Sequence, residues 1–216
     1  MNRNKSENQL WRRSKSGFSL LEVAIAIVVI SIIAGFALKG KELIRSAQLR
    51  SVSEQVNAFR IATQLFLDKY GALPGNLTNA VEIFDSSVAN GDGSGNISSL
   101  ADAKRFWQQL AASELVTLEL VNGFPVSKIG GYYTISSEMM GHSGIWIVLC
   151  GGTGNNQSFS GVISQADAYI IDKSSDSGNP SSGDVRTIRA SGNESLGQRY
   201  DLRQKDRDCI IMFKIW

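Results

Sequence analysis

A single carboxylate, Glu22, lies near the start of an apolar stretch that runs from Phe18 to Leu38. An ionised side chain costs about 2.5 to 3.5 kcal/mol at the centre of a membrane helix, and such side chains usually pair with a group of opposite charge. Glu22 therefore indicates a functional group whose cationic partner has to be identified. The alternative is that Glu22 lies close enough to the membrane interface to stay hydrated.

The apolar stretch itself has the length of a membrane-spanning helix. At about 1.5 Å of rise per residue it would extend about 30 Å, which is the thickness of the hydrocarbon layer. It is longer than the apolar region of an ordinary secretory signal, which has about 7 to 15 residues, and no small-residue cleavage site follows it. We therefore expect residues 18–38 to stay in the protein as a membrane segment.

The residues before this segment, Met1 to Gly17, form a basic leader. The chain has 22 basic and 20 acidic residues, of which five and one lie in the leader, so the net charge of +2 becomes −2 without it. The basicity of the whole chain therefore gives no direct indication of nucleic-acid binding. A flank rich in Lys and Arg stays in the cytoplasm, which predicts that the residues after the apolar segment lie outside it.

A glycine, an aromatic residue and a glutamate stand at fixed spacing at the head of the segment, as Gly17, Phe18 and Glu22. With the basic leader and the aliphatic run, this pattern resembles the class III signal of type IV prepilins and type II secretion pseudopilins. The resemblance implies cleavage after Gly17 by a prepilin peptidase, methylation of the new N-terminus at Phe18, and a role for Glu22 in fibre assembly. Cleavage would create an ammonium group within one helical turn of Glu22, or beside the Glu22 of a neighbouring subunit, so that each charge has a partner.

After Leu38 the sequence becomes amphipathic, and no proline interrupts it before Gly71. A stripe of mostly apolar residues recurs at steps of three and four, as on one face of a helix: Val52, Val56, Phe59, Thr63, Phe66 and Tyr70. We predict one continuous helix from about Phe18 to Tyr70 that ends at Gly71. The predicted segments are a leader, a membrane and polymerisation segment, an amphipathic continuation of the helix and a globular head, at residues 1–17, 18–38, 39–70 and 71–216.

The head is predicted to contain helices and strands. Helical patterns run from Leu100 to Leu120, with Trp107 as a core residue, and from Ser160 to Lys173, with Ser160 as the cap. Short runs rich in β-branched and aromatic residues predict an antiparallel sheet: Tyr132 to Ile135, Ile145 to Cys150 and Cys209 to Trp216. The predicted fold class is α+β, with a long N-terminal helix packed on a small head of antiparallel sheet and short helices. This is also the pilin-like arrangement that the resemblance implies.

Two loops carry candidate ligands for Ca²⁺. In the stretch from Asn90 to Ser98, oxygen-bearing side chains alternate as in the first part of an EF-hand loop, but Ala101 stands where that loop requires a glutamate. A flexible loop without metal is the alternative there, and a structured turn is the alternative for residues 173–186. The candidate ligands are Asp92, Ser94 and Asn96 in the first loop, and Asp172, Asp176 and Asp184 around the second.

The chain has two cysteines, Cys150 and Cys209, and both follow the apolar segment. An oxidising periplasm permits a disulfide between them, which would tie the last predicted strand to the sheet. In the chain-entropy model such a bridge contributes about 4 kcal/mol to stability. Two buried free thiols are the alternative.

No group of residues indicates catalysis, because the single histidine, His142, lies outside any nucleophile motif. The resemblance implies a non-enzymatic subunit of a type IV pilus or a type II secretion pseudopilus. It also implies a single-pass protein of the bacterial inner membrane, with its N-terminus in the cytoplasm and its head in the periplasm, and a periplasmic or extracellular fibre after assembly. Expected partners are prepilin peptidase, other copies or related pilin subunits, the inner-membrane assembly platform and membrane lipid. The alternative is a signal-anchored periplasmic binding module that is never cleaved.

Overall fold

A computed structural model describes residues 17–139, 141–152, 159–191 and 194–215. Of the predicted leader, residues 1–16 lie outside this part of the chain. The packing of the chain separates a first compact unit, which ends at Ile44, from a second unit, which begins at Arg45. The α+β class is confirmed, because a long apolar helix is followed by an antiparallel sheet with short helices.

Helix α1 spans Leu20–Tyr70 and continues from the first unit into the second. It runs without a break through Lys39 and Gly40. At its end, Gly71 has a φ of 70° and its backbone N–H donates to the Leu67 carbonyl at 2.8 Å. Glycine adopts this left-handed conformation without strain, so the predicted helix end at Gly71 is confirmed.

In the second unit, the predicted stripe of α1 lies in the core. Val52, Val56, Phe59, Thr63 and Phe66 are buried. The ring of Phe59 packs edge-on against Trp107 and Tyr133, with ring centroids 5.1 Å and 5.2 Å away. Because the second half of α1 packs into this core, the second compact unit begins at Arg45. The head predicted from the sequence begins later, at residue 71, where the helix ends.

Two short elements and a hairpin follow α1. Helix α2 spans Ala80–Ile83, and helix α3 spans Leu100–Ala112 behind a capping box formed by Ser99 and Asp102. The prediction that α3 continues to Leu120 is wrong, because Glu114 adopts a left-handed conformation with a φ of 56°. Beyond it, strands β1 (Leu120–Val121) and β2 (Phe124–Pro125) pair around Asn122 and Gly123. Both turn residues have positive φ, as a two-residue hairpin with Asn-Gly requires.

The main sheet has five antiparallel strands, in the order β3-β4-β7-β5-β6. The predicted strands are confirmed as β3 (Tyr132–Met139), β4 (His142–Cys150) and β7 (Cys209–Lys214), with shifted ends. Strands β5 (Val185–Arg189) and β6 (Glu194–Ser195) were not predicted. Side chains that alternate along the strands lie in two apolar clusters, one on each face of the sheet.

Helix α4 spans Gln165–Ser175, and its N-cap is Ser164. The predicted start at Ser160 is wrong, because the chain before Ser164 is extended. Ile163 and Cys209 form an isolated antiparallel bridge, with N–O distances of 3.2 Å and 3.0 Å. The apolar residues Val162 and Ile163 are buried, as the helical pattern required, but they reach the core from this extended segment.

Candidate cleavage and assembly site

Gly17, Phe18 and Ser19 lead directly into helix α1, and Ser19 caps it. The Ser19 carbonyl accepts a hydrogen bond from the Val23 N–H at 3.2 Å, and its hydroxyl oxygen accepts one from the Leu21 N–H at 3.2 Å. Glu22 is therefore the third residue of the helix. The N-terminal end of a helix carries a partial positive charge, so a carboxylate is favoured at this position.

The Gly17–Phe18 peptide bond lies between two exposed residues. The Phe18 side chain is 82% exposed, and a side chain added at Gly17 would meet no atom within 4 Å. Glu22 is exposed and takes part in none of the salt bridges in the described residues. The bond and the carboxylate are thus both accessible on the surface of the first unit.

The apolar part of α1 is exposed around its whole circumference. Residues 18–37 are all exposed, including Leu20, Leu21 and Phe36. The Ser31 hydroxyl donates to the Ile27 carbonyl at 2.8 Å, so this polar group needs no partner outside the helix. Among the described residues, α1 is the one helix that is long and apolar enough to cross a membrane. A helix that is apolar on all faces is normally surrounded by lipid or by other apolar helices.

The side-chain amide of Asn76 bonds across the first candidate cation loop. The side-chain oxygen of Asn76, which is buried, accepts hydrogen bonds from the Gly95 N–H at 2.9 Å and from the Ser94 hydroxyl at 3.3 Å, and its Nδ2 donates to the Asn96 carbonyl at 3.3 Å. The Asp92 carboxylate accepts from the Ser94 N–H at 3.0 Å, which lowers the pKa of Asp92. The predicted ligands Asp92, Ser94 and Asn96 therefore hold the turn of this loop.

The carboxylates of the second loop also bind backbone groups. Asp172, which is fully buried, accepts hydrogen bonds from the Gly178 N–H at 2.9 Å and from the Tyr200 hydroxyl at 2.8 Å, and burial raises the pKa of Asp172. Asp176 accepts from the N–H groups of Asp184 and Val185 at 2.6 Å and 3.1 Å. Across the described residues, no group of three or more His, Cys, Asp or Glu side chains could hold a metal ion. The candidate ligands Asp172, Asp176 and Asp184 therefore do not form such a group in the described part of the chain.

Cys150 and Cys209 are both free and buried, so the structure contradicts the predicted disulfide. Cys150 belongs to one apolar cluster of the sheet, with Trp146 and Val148, and Cys209 belongs to the cluster on the other face, with Ile211. Successive side chains of a strand point to opposite faces, and the register that pairs Leu149 with Ile211 places the two thiols on different sides. A bridge between them would require a change of register.

Sequence reasoning missed Gln109, which organises the loop after α1. Its side chain is fully buried, and its Oε1 accepts a hydrogen bond from the Gly75 N–H at 2.6 Å. Its Nε2 donates to the carbonyls of Ala89 and Leu77 at 2.9 Å and 3.3 Å. Gln109 lies three residues after the apolar Phe106, and this spacing, which places a polar residue at the edge of the apolar stripe of α3, is the signal that could have identified it.

The N-terminal segment of the chain matches a known protein family. The model of a family described as the prokaryotic N-terminal methylation motif matches residues 12–38. The exposed Gly17–Phe18 bond and Glu22 both lie within this match. Comparisons with curated proteins and with solved structures gave no significant match. Residues 12–38 of this chain therefore carry the prepilin-type cleavage and methylation signature.

Proposed function

We propose that this protein is a prepilin-like structural subunit that prepilin peptidase processes and that then assembles into a type IV pilus or a type II secretion pseudopilus. The peptidase cleaves the Gly17–Phe18 bond and the new amine of Phe18 is methylated. The leader stays in the cytoplasm, α1 anchors the subunit in the inner membrane, and the second unit lies in the periplasm until the fibre forms. The role is structural rather than catalytic.

The observation that carries this proposal is the combination of a matched methylation motif with a helix that is apolar on every face. A solitary membrane anchor would face lipid with the same surface, so the apolar surface fits either role, whereas a carboxylate at the head of a solitary anchor would lack a cationic partner. A bundle of these helices buries the same surface against its neighbours by van der Waals packing, without leaving unpaired polar groups. The exposed Glu22 then gains a partner from the methylated amine of Phe18, in its own subunit or in the next one.

Mass spectrometry of the N-terminus tests the proposal. The full chain is produced together with a prepilin peptidase, extracted from membranes in detergent and digested. We expect an N-terminal peptide that begins at Phe18 with a methylated amine. A Gly17→Val variant is the matched control, and it should retain residues 1–17.

The opposite outcome is an intact Met1 in the presence of an active peptidase that cleaves a known prepilin in the same cells. That result would overturn the proposal and would favour a signal-anchored periplasmic binding module.

A further inference from the structure

The single histidine of the chain, His142, stands at the start of β4 and contacts an arginine of another strand. Its imidazole is half-buried, and the Nη1 of Arg186, in β5, lies 2.7 Å from its Nδ1 and 3.1 Å from its Nε2. Strand β7 lies between β4 and β5 in the sheet. The contact therefore joins two strands that are not neighbours.

This contact requires a neutral imidazole. A guanidinium group carries donors only, so His142 has to accept the hydrogen bond. A ring nitrogen accepts only when it carries no proton, whereas both ring nitrogens of an imidazolium carry one. Protonation of His142 would therefore remove the acceptor and place two positive charges side by side.

The charged groups around His142 do not compensate such a charge. Glu138 in β3 and Asp184, just before β5, are exposed, and Lys214 in β7 adds another positive charge on the far side of β4. None of the salt bridges in the described residues includes His142, Arg186 or Lys214. The surroundings of the imidazole thus favour its neutral form.

Burial, and then the positive charge of Arg186, lower the pKa of His142. In the unfolded chain the pKa of a histidine is about 6.5. The folded protein therefore binds this proton less readily than the unfolded chain does. The stability that the neutral imidazole contributes is present above pH 6.5 or so, and it is lost as the pH falls through the lower pKa of the folded state.

The same two side chains cover a buried tryptophan. Trp146 is 1% exposed and belongs to the apolar cluster that contains no residue of α1. The guanidinium carbon of Arg186 lies 5.4 Å from the centroid of a Trp146 ring, and the His142 ring lies 6.1 Å from Trp146. Displacement of either side chain would uncover Trp146 on this face of the sheet.

We propose that His142 and Arg186 form an acid-sensitive contact that controls the exposure of Trp146. When His142 takes up a proton from solvent, it no longer accepts a hydrogen bond from Arg186, and the two cations repel each other. The side chains separate and an apolar surface opens on the sheet. This inference does not depend on the proposed function, because all three residues lie in the second unit.

A proton NMR titration of the full chain in detergent tests the first step. The protein carries no histidine tag, so a single imidazole Cε1–H signal reports on His142. We expect a titration midpoint below about 6.5. Arg186→Gln removes the neighbouring positive charge and should raise the midpoint. Arg189→Gln is the matched control, because Arg189 lies on the same strand but beside Asp208, and it should leave the midpoint unchanged.

Hydroxyl-radical footprinting with mass spectrometry tests the second step. Labelling of Trp146 is measured one pH unit above and one below the NMR midpoint, relative to Trp107, which is fully buried in the other cluster. We expect it to increase several-fold at the lower pH. His142→Gln keeps an acceptor at every pH and gains no charge, so its Trp146 labelling should stay constant between the same two pH values.

A midpoint at or above about 6.5, or the same midpoint in the wild type and in Arg186→Gln, would overturn the proposal. Equal labelling of Trp146 in the wild type at the two pH values would overturn it as well. Near-ultraviolet circular dichroism at the higher pH checks that each variant retains the wild-type packing.

Discussion

Glu22 has two electrostatic partners of different origin. One is its own helix, because the cap at Ser19 places Glu22 in the first turn, where the N–H groups carry a partial positive charge. The other is the proposed Phe18 amine, which exists only after cleavage. The first interaction is worth roughly 0.3 to 1 kcal/mol at an exposed site, which offsets only part of the cost of a carboxylate in hydrocarbon. The interaction with the helix N-terminus alone therefore does not explain a glutamate at position 22.

Replacing Glu22 by Ala should separate processing from assembly. The Gly17–Phe18 bond and its exposure do not depend on the carboxylate, so we expect cleavage and methylation to continue. Fibre assembly should fall at least tenfold, because each Phe18 amine would enter the bundle without a counter-charge. The yield of sheared fibres, relative to processed protein in the membrane, is the measurement.

Ser31→Ala is the matched control for this substitution, because Ser31 lies in the same apolar run but satisfies its hydroxyl within the helix. Its fibre yield should equal that of the wild type. Normal incorporation of the Glu22→Ala subunit would contradict the pairing of charges.

The two thiols should behave as buried free cysteines. Burial raises the pKa of Cys150 and of Cys209 to about 11 each, so little thiolate exists at pH 8. We expect iodoacetamide to modify neither residue in the folded protein and to modify both after denaturation, because the thiolate is the reactive form. Mass spectrometry counts the added groups.

The same measurement without denaturant or reductant checks the disulfide. The mass should be that of two free thiols. A mass lower by two hydrogens, restored by reductant, would show that the sheet register differs from the one that places these thiols on opposite faces.

At the scale of elements, α1 is one helix with two different surfaces. Up to Phe36 its apolar side chains face outwards on all sides, whereas from Leu49 an apolar stripe lies in the core of the second unit. Phe59 occupies the middle of that stripe and is 3% exposed, while Ile61, two residues later, is 61% exposed. The difference follows from the helical period, because two residues correspond to a rotation of about 200°.

Phe59→Ala should destabilise the protein by about 3 to 5 kcal/mol, because it removes a buried ring and leaves a cavity against Trp107 and Tyr133. Ile61→Ala, on the exposed face of the same helix, should change the free energy of unfolding by less than about 0.5 kcal/mol. Urea denaturation in detergent, followed by tryptophan fluorescence, measures both. Similar losses in the two variants would show that this part of α1 does not pack as described.

At the scale of the whole molecule, the division after Ile44 makes the folded unit longer than the head predicted from the sequence. The stripe from Val52 to Phe66 supplies one side of the core that α3 and the sheet complete. A fragment that lacks this stripe exposes Trp107, Tyr133 and their neighbours. Their burial, at about 25 cal/mol for each Å² of apolar surface, is a large part of what stabilises a domain of this size.

A fragment of residues 45–216 should therefore be soluble and folded without detergent, with dispersed amide resonances in an NMR spectrum. A fragment of residues 71–216, which corresponds to the head predicted from the sequence, should aggregate or give a collapsed spectrum. Equal behaviour of the two fragments would show that the α1 stripe contributes little to the core.

The sequence by itself determined the features that depend on local order along the chain. The spacing of Gly17, Phe18 and Glu22, the length of the apolar run, the stripe on α1, the helix end at Gly71 and three strands all follow from such patterns. Two further elements also have local signals in the sequence: the Asn122-Gly123 turn of the β1–β2 hairpin, and the alternation of Val185, Arg186 and Thr187 in β5. The extended backbone before α4 could not be predicted from a local pattern, because Val162 and Ile163 fit a buried helix as well as a buried strand.

The tertiary structure alone decided which distant residues meet. It placed Cys150 and Cys209 on opposite faces of the sheet, because a register that no local pattern encodes fixes the face of every side chain. It directed the carboxylates of Asp172 and Asp176 towards backbone N–H groups of residues 178 and 184. A sequence specifies spacing along the chain, whereas convergence in space depends on how strands pair and loops close over long separations.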